Sequence, residues 1–339
     1  MPTVSLYIAL VRRPHGVPTA DDFALREEAL APLRPGEALV QNLYISVDPY
    51  MRGRMRDVPS HMGPFPLNEV ITGSTVGRVV ESNNDSLPID AVVTSFSGWR
   101  DTFVTDGSDV DVIESNGTPL PAHLGILGMP GFTGWYGLHE IGAPQAGETV
   151  LVSAAAGAVG SVVTQLARRR GCRVVGVVGS DQKARYITDD LGADAALNYR
   201  SEPDMTAAVR RACPDGVDVY FDNTGGVILE AALANANLAA RMPICGMIST
   251  YNAEGGAPGP ANLTQIIGSR VTVRGFLIRD HGDRRPEFLA EVAPLVRDGS
   301  LHRRETIVEG LEQAPEAFMG LFTGQNIGKM VVSVPWDDA

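Results

Sequence analysis

At 339 residues the chain exceeds what one ordinary core organises, so two domains are expected. Hydrophobic residues at 44% and charged residues at 20%, with 37 Gly and 23 Pro scattered among apolar runs, exclude fibrous and disordered classes. A formal charge of -12 repels phosphate backbones and argues against a nucleic-acid partner.

The first residues, Met1 to Pro14, lack the charged head, apolar middle and small-residue cleavage site of a signal peptide, and no run of about 18 apolar residues follows. A cytosolic, membrane-free location is the expectation. From residue 38 to about 112, short β runs are punctuated by turns: 38–46, 74–82 and 91–96. Strands of this length with Gly and Asn-Asp breaks predict an antiparallel, barrel-like domain.

From Glu148 the rhythm changes to alternating strand and helix. Strands are expected at 149–153, 173–178, 194–198, 217–222 and 241–245. Helices are expected at 159–170, 182–191, up to 212, and 228–236. Parallel strands need crossover helices, so this order predicts an α/β Rossmann domain with a doubly wound parallel sheet. After about residue 300 come a short strand, a helix at 311–322 and a closing strand from Lys329, a tail able to rejoin the first domain. The run Arg168-Arg169-Arg170 reads as a solvated helix end.

The three cysteines, Cys172, Cys213 and Cys245, are isolated, and the six histidines show no His-x-x-x-His spacing. Neither a structural nor a catalytic zinc site can be assembled from sequence neighbours, so buried reduced thiols and no metal are expected.

Directly after the first parallel strand stands Ala154-Ala155-Ala156-Gly157-Ala158-Val159-Gly160-Ser161, opening a helix. Small residues there let a pyrophosphate approach the N–H groups of the helix N-terminus; the alternative is a tight turn that only packs helix on strand. A sheet that prefers NAD ends its second strand in Asp or Glu, but this strand ends Val177-Val178-Gly179-Ser180. Ser180 and Lys183 follow, placed to donate hydrogen bonds and charge to a 2′-phosphate, which favours NADPH. Asp181 is read as a first-turn cap or dipole partner, and an ordinary solvated lysine remains the alternative for Lys183.

The ordered segments Ser46-Val47-Asp48-Pro49-Tyr50-Met51-Arg52, Gly128 to Thr133, Ala154 to Ser161, Val178 to Lys183, Phe221 to Gly226, Cys245 to Asn252 and Gly324 to Lys329 span nearly the whole chain. Together they resemble the zinc-independent prostaglandin reductase and alkenal double-bond reductase branch of the medium-chain dehydrogenase/reductases, which includes bacterial curcumin reductase. The resemblance implies a GroES-like β-barrel domain from residues 1–126 and 305–339 and a Rossmann NADPH-binding domain over 127–304. It implies a pyrophosphate on Gly157, Ala158, Val159 and Gly160, and Lys183 with Tyr199 flanking the 2′-phosphate. Asn223, then Cys245, Gly246, Ile248, Ser249 and Tyr251, then Phe276, Leu277 and Ile278, and finally Asn326, would line the rest of the cofactor. The expected activity is NADPH-dependent reduction of the carbon–carbon double bond of an enone or alkenal. Where relatives carry an aromatic residue after Gly-Trp, this chain reads Gly98-Trp99-Arg100, in a segment expected near the substrate mouth.

Enone reduction needs hydride at the β-carbon and a donor to the oxygen on which charge develops. Tyr251, just beyond the fifth parallel strand, is the first choice for that donor, and Tyr44 of the other domain is the second. Either ring has packing as its alternative role, and the proton source for the α-carbon stays open. Asp48 and Arg52 read as a capped turn with an ion pair. A quinone reductase and a non-catalytic dinucleotide sensor are the rival readings. The apolar run 271–278 is expected at a sheet edge, where it would join two copies as a homodimer.

Overall fold

The computed structural model describes residues 3–58, 62–114, 117–255 and 258–335. The chain opens with β1 (Val4–Leu10), β2 (Phe23–Ala29) and β3 (Ala38–Ser46), a short helix α1 (Met51–Arg54), and then β4 (Thr75–Ser82), β5 (Val92–Ser95), β6 (Thr102–Thr105) and β7 (Val110–Val112). After α2 (Met129–Tyr136) come β8 (Thr149–Ser153), α3 (Gly160–Arg169), β9 (Arg173–Val178), α4 (Asp181–Arg185), β10 (Ala195–Asn198), α5 (Met205–Ala212) and β11 (Val217–Phe221). They are followed by α6 (Gly226–Ala234), β12 (Ala236–Ile244), α7 (Gln265–Gly268), β13 (Thr272–Gly275) and α8 (Arg285–Arg297). β14 (Glu305–Glu309), α9 (Ala314–Thr323) and β15 (Lys329–Ser333) close the chain. Two compact units result: residues 1–124 with 305–339, and residues 125–304.

In the second unit the parallel strands lie in the order β10-β9-β8-β11-β12-β13. β8 is buried over its whole length, which is why its sequence is an unbroken run and not an alternating one. Chain order runs from β8 to β10 toward one edge and from β11 to β13 toward the other. The direction therefore reverses between β8 and β11, where sheets of this kind hold ligands at their carboxyl ends.

Three elements differ from expectation. The helix expected over 182–191 is α-helical only through Arg185, then widens into a π-type turn over Tyr186–Asp190 that tucks Tyr186 and Ile187 inward. β12 starts at Ala236 and not at 241: its Ala- and Asn-rich opening has weak β propensity, and pairing with β11 overrides it through a register shift. β13 is shorter than the run 271–278, pairs with β12 at the sheet edge, and leaves its four residues exposed.

The first unit contains a seven-stranded sheet in the order β14-β15-β3-β4-β5-β7, with β6 on β3, and a separate antiparallel pair β1-β2. The tail does rejoin this unit, β15 lying antiparallel to β3 with Val332 opposite Ile45. Trp99 is fully buried, stacked on Phe23 at 6.1 Å and edge-on to Phe318 at 5.9 Å, so it serves the core.

The expected Asp48–Arg52 pair is corrected. The Asp48 carboxylate is buried against Lys329, whose Nζ lies 3.1 Å from Oδ1, and Ser46 Oγ donates to Oδ2. Arg52 donates instead to the carbonyls of Gly16 at 2.7 Å and Pro14 at 3.4 Å. A buried carboxylate is satisfied by the cation that reaches it, here one brought from the far end of the chain.

Candidate active site

At the exit of β8 the backbone turns through Ala154 in the left-handed region (φ 48°) and enters α3 at Gly160. A Cβ on Gly160 would lie 2.3 Å from the Ala154 carbonyl oxygen and 2.8 Å from Ala155 Cα, so only glycine lets the helix start this close to the strand. Gly157 is less confined, its Cβ position lying 3.2 Å from the same oxygen. In the first turn of α3 the Ser161 N–H donates to Gly157 O at 2.9 Å and the Val162 and Val163 N–H groups to Val159 O at 3.1 Å, so the N–H groups of Ala158, Val159 and Gly160 are the ones without a backbone acceptor among the described residues and form the positive end an anion seeks.

At the exit of β9, Ser180 caps α4, its Oγ accepting the Lys183 N–H at 3.3 Å. Tyr199 follows β10 and lays its ring over Gly179, where a Cβ would meet Cε1 at 3.0 Å. The Asp181 carboxylate accepts a hydrogen bond from Asn198 Nδ2 at 2.8 Å. Burial, and then the charge of Arg200, hold the Lys183 ammonium below its ordinary pKa. An ammonium short of water and beside a second cation is stabilised by a multiply charged anion, and a 2′-phosphate supplies one.

At the reversal between β8 and β11 a polar network shapes the backbone. Asp222 is fully buried, and its Oδ1 accepts from Tyr220 Oη at 2.7 Å, Gly225 N at 2.7 Å, Thr224 N at 2.9 Å and Ser153 Oγ at 3.2 Å. Burial pushes the Asp222 carboxyl above the usual carboxylate range. Asn223 is anchored on Ser153, its N–H to Oγ at 2.8 Å and Nδ2 to the carbonyl at 2.7 Å. The sequence reading includes Asp222 in the strand 217–222 and in the segment Phe221 to Gly226 but gives it no role, although an Asp closing an apolar strand before Asn-Thr-Gly-Gly was a usable signal.

The segment after β12 hangs on this network. Cys245 N and Gly246 N donate to the Asp222 carbonyl at 2.9 and 3.1 Å, Ile248 N to Asn223 O at 3.3 Å and Ser249 N to Thr224 O at 3.2 Å. Tyr251 folds back so that its hydroxyl oxygen accepts the Met247 N–H at 3.4 Å. Burial raises the Tyr251 pKa, so the proton is retained. The Cys245 thiol is likewise pushed up to about 12, by burial and then by Asp222.

Ser180, Lys183 and Tyr199 thus gather at the exit of β9, and Asn223 gathers with Cys245, Gly246, Ile248, Ser249 and Tyr251. Phe276 packs on Tyr136 with ring centres 5.7 Å apart, Leu277 follows it, and Ile278 begins the 3-10 segment Ile278–Arg284. Two expected residues belong to the other unit. Asn326 Nδ2 donates to Gly328 O at 2.8 Å. Tyr44, on β3, packs half-buried against Val76, Leu124 and Val331.

Among the described residues no group of three or more His, Cys, Asp or Glu side chains is placed to hold a metal ion.

Residues 7–113 match the family model for the N-terminal domain of oxidoreductases, and residues 158–294 match the model described as zinc-binding dehydrogenase. The chain is 42% identical over 334 residues to the NADPH-dependent curcumin reductase of Escherichia coli, covering 97% of this chain and 96% of that protein. It is 41% identical over 324 residues to the NADP(+)-dependent 2-alkenal reductase of Nicotiana tabacum, covering 94% of each. The crystal structure of CurA from Vibrio vulnificus in complex with NADPH superposes with a TM-score of 0.92 at 39% identity, covering 98% of this chain and all of that one.

Proposed function

The chain belongs to the zinc-independent branch of the medium-chain dehydrogenase/reductases, and from that premise we propose that it uses NADPH to reduce the carbon–carbon double bond of α,β-unsaturated ketones and aldehydes. The observation that carries the cofactor choice is the exit of β9. No carboxylate ends the strand, Asp181 is engaged by Asn198, and Tyr199 lies over Gly179; on this reading Lys183 and Tyr199 flank the 2′-phosphate. On this reading Gly157, Ala158, Val159 and Gly160 receive the pyrophosphate and Ser180 the 2′-phosphate side. Asn223, Cys245, Gly246, Ile248, Ser249, Tyr251, Phe276, Leu277, Ile278 and Asn326 line the remainder.

NADPH supplies the hydride when bound. The protein's own share is orientation and one hydrogen-bond donor to the oxygen that gains charge, a contribution worth about 3–4 kcal/mol per donor. Tyr251 is the first assignment for that donor because its proton is retained and its oxygen is already fixed by Met247; Tyr44 is the second.

Two finer points belong to the same proposal. The protein is cytoplasmic; no helix among the described residues is long and apolar enough to cross a membrane. It is a homodimer joined along β13, with exposed apolar side chains Val273 on that strand and Ile267 on the neighbouring α7 covered by the partner copy.

Following NADPH absorbance with a small enone, a quinone and no acceptor tests the activity. Oxidation with the enone supports it; oxidation with the quinone alone, or tight binding without oxidation, would replace it with one of the rival readings.

A further inference from the structure

Asp222 stands where the ends of three strands of the second unit meet. It follows β11, its main chain bridges to Ile244 of β12, and its side chain reaches Ser153 at the end of β8. All hydrogen bonds to its carboxylate fall on one oxygen. Oδ1 takes the donors of Tyr220, Gly225, Thr224 and Ser153, while Oδ2 is out of contact with solvent and has no hydrogen-bond partner among the described residues.

Two of the four donors are main-chain N–H groups two and three residues on, and they fix the turn into α6, where Gly225 (φ 66°) and Gly226 (φ 59°) both take positive φ. The other two are side chains of β8 and β11, so Oδ1 ties this turn to both central strands. Asn223 lies inside the turn, and the Ser153 hydroxyl that donates to Asp222 also accepts the Asn223 N–H at 2.8 Å. From the other side Ser249 Oγ donates to the Thr224 carbonyl at 2.5 Å. The groups assigned above to the coenzyme beyond its pyrophosphate are therefore hung on a residue that is itself 0% exposed and does not meet a ligand.

An amide offers the same acceptor in the same plane, and its NH2 would replace the oxygen that receives no donor. Burial also works against the charged form of this carboxyl. We propose that Asp222 is a positioning residue for the nicotinamide half of the coenzyme, acting through the acceptor geometry of Oδ1 and not through its charge. This rests on the NADPH assignment and not on the enone reading.

The test is calorimetric titration with NADP+ and with adenosine 2′,5′-bisphosphate, which carries only the half of the coenzyme assigned to the exit of β9. D222A leaves four donors without an acceptor in a dry site and is expected to weaken NADP+ binding about ten- to a hundredfold, with the bisphosphate within about twofold of native. D222N should recover most of that loss. Native NADP+ affinity in D222A overturns the proposal, as does parallel weakening of both ligands, or a D222N as weak as D222A. S153A and Y220F leave Asp222 in place and keep the test decisive if D222A does not fold. Each should weaken NADP+ about two- to tenfold with the bisphosphate unmoved, and no selective loss in either overturns the proposal. NADPH oxidation with a small enone is read on the native protein. The expected binding pattern without enone turnover removes the enone reading and leaves the role of Asp222 standing, whereas turnover with parallel losses does the reverse.

Discussion

Asn198 holds the Asp181 carboxylate through a 2.8 Å hydrogen bond, at the strand end where NAD-preferring sheets place a free acid for the ribose hydroxyls. The acid next to the expected 2′-phosphate is thereby engaged on its own side of the loop, and Lys183 keeps the electrostatic field positive.

Removing Lys183 should therefore cost NADPH specifically. Lys183→Ala is expected to raise the KM for NADPH by about ten- to a hundredfold while the KM for NADH moves little, since the lost contact is one charge-assisted bond to the phosphate. Steady-state kinetics with both coenzymes checks it; parallel losses for the two would place Lys183 outside the phosphate site.

Gly160 and Gly157 should behave differently. The Cβ of Gly160→Ala would sit 2.3 Å from the Ala154 oxygen, so the loop must shift, at a cost of about 1–3 kcal/mol in stability with loss of NADPH affinity. Gly157→Ala meets nothing closer than 3.2 Å and should be much milder in urea titration and in coenzyme binding.

Lys329→Met would strand the Asp48 carboxylate in the core of the first unit. Breaking one side of a buried pair costs about 3–5 kcal/mol, and adding Asp48→Asn should return part of it. Urea unfolding of the two variants decides this.

The Cys213 thiol is pushed up to about 12 by burial, against about 8.5 for an unfolded chain. Its folded-state pKa is raised, so its contribution is complete below about pH 8.5 and is lost as pH rises toward 12, because the unfolded chain releases the proton first. Stability should fall between pH 9 and pH 11 in the native protein and fall less steeply in Cys213→Ala, as measured by urea unfolding at each pH.

Much of the fold was legible because the signals were local. Val150–Val152 and Val174–Val178 are unbroken apolar runs whose shortness fits buried strands, and Gly160 follows the first of them at the spacing a helix start demands. What escaped was fixed by partners distant in sequence. Nothing near Asp48 announces Lys329, and nothing in the Ala-rich start of β12 announces β11. For the site, Ser180 and Lys183 were readable from a missing carboxylate, whereas Tyr199 and Asn326 came through resemblance alone. The engagement of Asp222 by four donors was invisible, since two of its partners, Ser153 and Tyr220, carry no motif of their own.

The most direct measurement is the destination of the hydride. With NADPH deuterated at the transferred position and a small enone, the product is expected to be the saturated ketone with one deuterium on the former β-carbon, read by NMR and mass spectrometry. Deuterium on the carbinol carbon of an allylic alcohol, or none in any product, would contradict double-bond reduction.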